Sequence, residues 1–221
     1  ATNITVTVPS GASYKPLSVT TNGLTGYSQR PFNITFSSLK PFNAEVFSSK
    51  TDLSSGSFGT EDIITGDIDG DGKPDLIISN GNENKISINR NISSSGSITA
   101  GSFSGKTDFQ AAGTPRGLAL GDLDGDGKLD IAVAGNTSFV SVFHNASITG
   151  NIDASSFPER IDFPSGGGPN EVVIGDIDGD GKPEIIVSNW GSNTISVFKN
   201  QSVQGLISSS SFSEKYELPA G

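Results

Sequence analysis

Asp67, Asp69, Asp71 and Asp75 hold the first, third, fifth and ninth places of a nine-residue segment. The same pattern returns at Asp122, Asp124, Asp126 and Asp130, and at Asp176, Asp178, Asp180 and Glu184, the three segments starting 55 and 54 residues apart. Carboxylates at this spacing converge only if the backbone turns back sharply. Glycines at the fourth and sixth places allow such a turn, because they accept positive φ. Oxygen donors without His or Cys suit a hard cation, Ca²⁺ before Mg²⁺. The loop geometry adds the backbone carbonyls of Lys73, Lys128 and Lys182 as ligands, with the lysine side chains pointing away. The expectation is about three Ca²⁺ ions, one per loop. An Asp-Gly hairpin turn with incidental acids would account for one such loop, but three in the same pattern argue for metal.

Loops this tight need rigid flanks, and the flanks repeat as well. Apolar runs precede each loop (Ile63-Ile64, Leu118 to Leu120, Val172 to Ile174) and follow it (Leu76 to Ile78, Ile131 to Val133, Ile185 to Val187). An alternating strand closes each unit: Ile86 to Ile88, Val140 to Phe143, Ile195 to Phe198. Upstream runs a four-fold Phe-x-x-basic series headed by Phe47, Phe103, Phe157 and Phe212, each followed by an acidic-apolar pair (Asp52-Leu53, Asp108-Phe109, Asp162-Phe163, Glu217-Leu218). Four short strands per unit at this period predict an all-β fold of β-propeller blades, each of four antiparallel strands. The strand flanks exclude an EF-hand, whose loop joins two helices.

The acidic core with Phe-x-x-Lys upstream and Ser-Val-Phe-x-Asn downstream resembles FG-GAP/VCBS repeats over residues 43–221. The resemblance implies integrin-α-like propeller blades with Ca²⁺ in these loops. The units fall at about 43–97, 98–151 and 152–206, with a partial fourth at 207–221 that would supply one strand of a further blade. Two departures stand out: the first unit lacks the proline that the others carry before the loop (Pro115, Pro169), and Glu184 replaces the final Asp, which predicts a weaker third site. Residues 1–42 lie outside the repeat. Their strand-like stretches at Asn3 to Pro9, Leu17 to Thr20 and Phe32 to Phe36 resemble the C-terminal part of a TIG/IPT Ig-like module, which often precedes such repeats in bacterial surface proteins. Three units fall short of the roughly four to eight blades that close a propeller, so the expectation is a longer protein or several chains completing one another.

The net charge of −10 argues against nucleic acid, which asks for clustered Lys and Arg. The loops contribute −9 of it, and three divalent ions would leave about −4. Cys and Met are absent, so metal rather than sulfur must tie the loops down. No apolar run approaches the roughly 20 residues of a membrane span, and no leader is visible before the strand-like start at Ala1. Six Asn-x-Ser/Thr sequons occur, at Asn3, Asn33, Asn91, Asn136, Asn145 and Asn200, most of them expected to be coincidental in so Asn- and Ser-rich a chain.

No catalytic constellation is present. His144, the only histidine, aligns with Arg90 and Lys199 and reads as a polar, solvent-facing position. No serine sits in a nucleophile-elbow context. Trp190, in a turn between strands, is the one candidate ligand-binding aromatic, suited to stacking on a sugar ring or packing at a partner surface, against the plainer reading that it covers its own blade. The expected role is a non-enzymatic, calcium-binding adhesion or display module of a secreted or cell-surface bacterial protein. Its partner would be an extracellular glycan or protein, or other copies of itself through open blade edges. The rival expectations are an accessory carbohydrate-binding module of a polysaccharide-degrading enzyme and a passive spacer or filament subunit.

Overall fold

A computed structural model describes the backbone of residues 18–21 and 24–27, and residues 49–55 and 59–220 in full. The chain divides into two units, Ala1–Asp52 and Leu53–Gly221. In the first, β1 (Ser18–Thr21) and β2 (Leu24–Tyr27) form an antiparallel pair. Asn22-Gly23, between them in sequence, is a dipeptide favoured in two-residue hairpins. The strands expected at Asn3 to Pro9 and Phe32 to Phe36, and with them the Ig-like reading, lie outside the described residues.

The second unit is three four-stranded antiparallel sheets, with no α-helix among the described residues. The first joins β3 (Thr60–Gly66), β4 (Asp75–Asn80), β5 (Lys85–Asn89) and β6 (Thr107–Gln110) in that order. The second joins β7 (Pro115–Gly121), β8 (Asp130–Gly135), β9 (Phe139–Phe143) and β10 (Arg160–Pro164). The third joins β11 (Pro169–Gly175), β12 (Glu184–Asn189), β13 (Thr194–Phe198) and β14 (Tyr216–Pro219). These are propeller-like blades. They run out of phase with the sequence repeat, because each outermost strand comes from the following repeat. Tyr216–Pro219 accordingly completes the third sheet by pairing with β13, rather than opening a further blade.

The blades stack through their faces. β-branched residues alternate along each strand, so one set points to the preceding sheet and the other to the following one. Ile131 and Val133 join Ile77, Ile86 and Ile88 between the first two sheets, while Ala132 and Ala134 face Val172, Ile185 and Val187 between the second and third. β8, covered on both sides, is buried along its whole length. The repeated upstream phenylalanine is the wedge in each seam: Phe157 sits edge-on to Phe109 with centroids 5.1 Å apart, and Phe212 meets Phe163 in the same way at 5.1 Å. The innermost strands β3, β7 and β11 adjoin one another. A Cβ on Gly117 of β7 would stand 2.8 Å from the Cα of Glu171 on β11, so this approach requires glycine.

Candidate functional site

Each acidic segment joins the first and second strands of its sheet, and all three fold alike. The glycines at the fourth and sixth places have positive φ in every loop (69° and 90°, 74° and 91°, 79° and 90°). That turn lets backbone N–H groups donate inward. Gly72, Gly127 and Gly181 donate to the first-place aspartates at 3.0 Å each. Asp71, Asp126 and Asp180 donate to the third-place carboxylates at 3.1–3.2 Å, and Lys73, Lys128 and Lys182 to the fifth-place ones at 2.8–2.9 Å. Each bond engages the same oxygen from loop to loop and leaves the second oxygens of the third- and fifth-place aspartates for another partner. The Lys182 ammonium turns away, donating to the Ser202 carbonyl at 2.7 Å.

The ninth-place carboxylates are built differently. Asp75, Asp130 and Glu184 are buried at the start of the second strand. Each accepts the N–H of the second loop residue (Ile68, Leu123 or Ile177) at 2.9–3.0 Å. The other oxygen accepts the N–H of Asn91, Asn145 or Asn200, at 2.8, 2.9 and 3.4 Å. Burial pushes the Asp75 carboxyl up to about 6 and that of Asp130 up to about 7, although their N–H bonds pull the other way. Burial also raises Asp122. A nearby positive charge would favour the ionised form of such groups.

Ligand oxygens of Asp67, Asp69 and Asp71 lie within 4.8 Å of one another, as do those of Asp122, Asp124 and Asp130, and of Asp176, Asp178 and Glu184. Oxygen-only sets of this kind fit a hard divalent cation. Such an ion, when bound, would tie two strands to their loop.

The position shared by Arg90, His144 and Lys199, which the alignment reads as solvent-facing, lies over the loop of its own sheet, with Lys199 half exposed and Arg90 and His144 about a quarter exposed. The Arg90 guanidinium bonds Asp69 and, at 2.6 Å, Asp71. The Lys199 ammonium bonds Asp178 and, at 3.2 Å, Asp180. These are the same second oxygens that the backbone leaves over. Both basic groups hold their protons more tightly as a result, Arg90 chiefly through Asp69 and Lys199 through Asp178. In the second sheet His144 Nε2 stands 3.0 Å from Asp124 Oδ2. The strand ends just before this residue and the following Asn docks on the ninth-place carboxylate, which carries the basic side chain over the loop. Its constant place in the repeat was the available signal.

A second feature escaped the sequence reading. Asn145 Nδ2 and Ser147 Oγ both donate to the Ile68 carbonyl of the preceding sheet's loop, at 2.9 Å each. Asn200 and Ser202 do the same to Leu123, at 2.8 and 2.7 Å. Each blade thus clasps the loop before it. Asn91, Asn145 and Asn200 are three of the six sequons, and in the structure they are buried hydrogen-bond donors, closed to glycosylation.

Trp190 is 78% exposed, in the turn between β12 and β13. β12 begins at the acidic loop with Glu184 and ends at Asn189, so Trp190 and the third loop occupy opposite ends of the sheet. The structure does not bring them into one site.

The FG-GAP-like repeat family matches residues 67–133 and, in a second register, residues 122–187, each match running from one acidic loop through the next. No curated protein and no solved structure gives a significant match.

Proposed function

The chain belongs to the FG-GAP-like repeat family, and from that membership we propose that it is a calcium-binding module of an extracellular bacterial protein, secreted or on the cell surface, serving adhesion or structural display. Repeats of this family are typically extracellular modules, and no described helix is long and apolar enough to cross a membrane. The observation that carries the calcium reading is the triplicate convergence of carboxylate oxygens within 4.8 Å. Ca²⁺ here is a staple. The recurrence of the same carboxylate pattern in every blade supports a structural rather than a catalytic role for the loops.

The test is calorimetric titration of Ca²⁺ into the intact protein and into an Asp69→Ala/Asp124→Ala/Asp178→Ala variant, with melting curves in Ca²⁺ and in EDTA. The parent is expected to bind about three ions and melt higher in Ca²⁺, and the variant to lose both properties. Identical titrations and melts for the two proteins would end the calcium reading.

The exposure of Trp190 supports a glycan or protein ligand at the far end of the third blade, as an adhesin or an accessory carbohydrate-binding module would have. A glycan array run with the parent and with Trp190→Ala, in millimolar Ca²⁺ and in EDTA, tests this. Binding that Trp190→Ala abolishes supports the adhesive role. No binding in any condition favours the spacer or filament reading.

A further inference from the structure

The three loops share one pattern of carboxylates but not one closing side chain. Arg90 and Lys199 carry only N–H donors, so they neutralise carboxylates and cannot bind a metal. An imidazole carries a lone pair. His144 Nε2 is shielded from solvent and faces Asp124 Oδ2, shielded as well, at an ion-pair distance of 3.0 Å, and neither atom has any other hydrogen-bond partner. The Asp124 side chain is completely buried, and its Oδ2 and the imidazole form a group in which Asp126 brings a further oxygen within 4.8 Å of both.

We propose that the second loop, unlike the first and third, binds a borderline first-row divalent cation of the Zn²⁺ class through Asp124, Asp126 and His144. Two donor atoms each about 2.0–2.1 Å from one tetrahedral ion stand about 3.3–3.4 Å apart, so the two side chains need separate by only a few tenths of an ångström from 3.0 Å to admit it. Imidazole favours Zn²⁺ and its neighbours in the transition series, whereas Ca²⁺ takes six to eight oxygens at longer range. Asp124 also belongs to the all-oxygen group with Asp122 and Asp130, so the two kinds of ion compete for this loop. The inference rests on the reading of the loops as metal sites, but not on calcium being their ion.

His144 is the only histidine in the chain, so an imidazole signal can come from no other residue. The experiment uses ¹⁵N-labelled protein without a histidine tag, titrated with Zn²⁺ and separately with Co²⁺ in millimolar Ca²⁺. A shift of the Nε2 resonance complete at one equivalent of Zn²⁺, with hyperfine-shifted imidazole protons in Co²⁺, is expected. The His144→Arg variant, which installs the residue of the first blade and keeps a donor for Asp124, is expected to bind Zn²⁺ at least about a hundredfold more weakly, the upper end of what losing even an outer-shell partner costs. Its first and third loops should keep their response to Ca²⁺. An imidazole signal unmoved by either metal, or equal Zn²⁺ affinity in the variant, overturns the proposal. If His144→Arg fails to fold, the imidazole titration of the parent decides alone. Zn²⁺ binding at His144 in a protein that ignores Ca²⁺ would uphold this site and remove the calcium reading.

Discussion

At the scale of single residues, the ninth-place carboxylates give the loops a pH dependence of definite sign. Asp75 and Asp130 are held up to about 6 and about 7 by burial, against an ordinary value of 3.8 in the unfolded chain. Between about pH 4 and 7 the folded chain therefore binds more protons at these groups than the unfolded chain, so metal-free stability falls as pH rises through that window. The carboxylates shifted downward, such as Asp180 and Glu217, act below it. In EDTA, a His144→Gln background (free of any imidazole) should melt higher at pH 5 than at pH 7.5. Saturating Ca²⁺ should reverse the order, because the ion needs the deprotonated ligands. A metal-free melting temperature that climbs with pH across the window would contradict the assignment. The Asp and Gly positions were legible in the sequence because spacing alone dictates the turn. The arrival of Arg90, His144 and Lys199 over the loops was not, since a basic residue at a strand end looks the same whether it meets water or a carboxylate.

At the scale of the elements, the clasp between successive blades is the contact most open to measurement. Asn145 and Ser147 together place two donors on the Ile68 carbonyl, whereas the side chain of Asn91 donates to Pro74 within its own sheet. Removing a buried donor leaves its acceptor unsatisfied, at about 1–3 kcal/mol per group. An Asn145→Ala/Ser147→Ala variant should therefore lose roughly 2–5 kcal/mol in urea unfolding, and Asn91→Ala less, since no second sheet depends on it. Equal losses would show that the bonds between sheets carry no special weight. Strand existence was readable here: the runs at Leu76 to Ile78, Ile131 to Val133 and Val140 to Phe143 all lie within strands, because β-branched alternation has few other uses. The clasp was hidden behind its own sequence. Asn-x-Ser reads as a glycosylation signal or as chance unless the burial of the amide is known.

For the three-bladed unit as a whole, the same residue meets two environments. Ile68 and Leu123, second in the first two loops, are 1% exposed because the next blade covers them, while Ile177 in the third loop is 62% exposed. At the other end, Leu53, Ile63, Leu76, Ile78 and Phe103 line a groove of about 540 Å³ on the face of the first blade that corresponds to the one Leu118 and Phe157 of the second blade turn toward the first. The two outer faces correspond to the two halves of the seam used twice inside the molecule, and we propose that copies of the chain pair through them head to tail. Burying a side chain such as Ile177 contributes about 1.5–3 kcal/mol, less than association costs, so pairing depends on the whole face and not on this residue alone. Sedimentation should show a mass that grows with concentration in Ca²⁺. Ile177→Asp spoils one face and Ile63→Asp the other, so each variant alone should stay monomeric with its melting temperature little changed. Mixed, they retain one intact face apiece and should form a single heterodimer that grows no further. A parent that is monomeric at every concentration, or a mixture that stays monomeric, would rule out pairing through this seam and leave the exposed turn at Trp190 as the surface on which a partner should be sought.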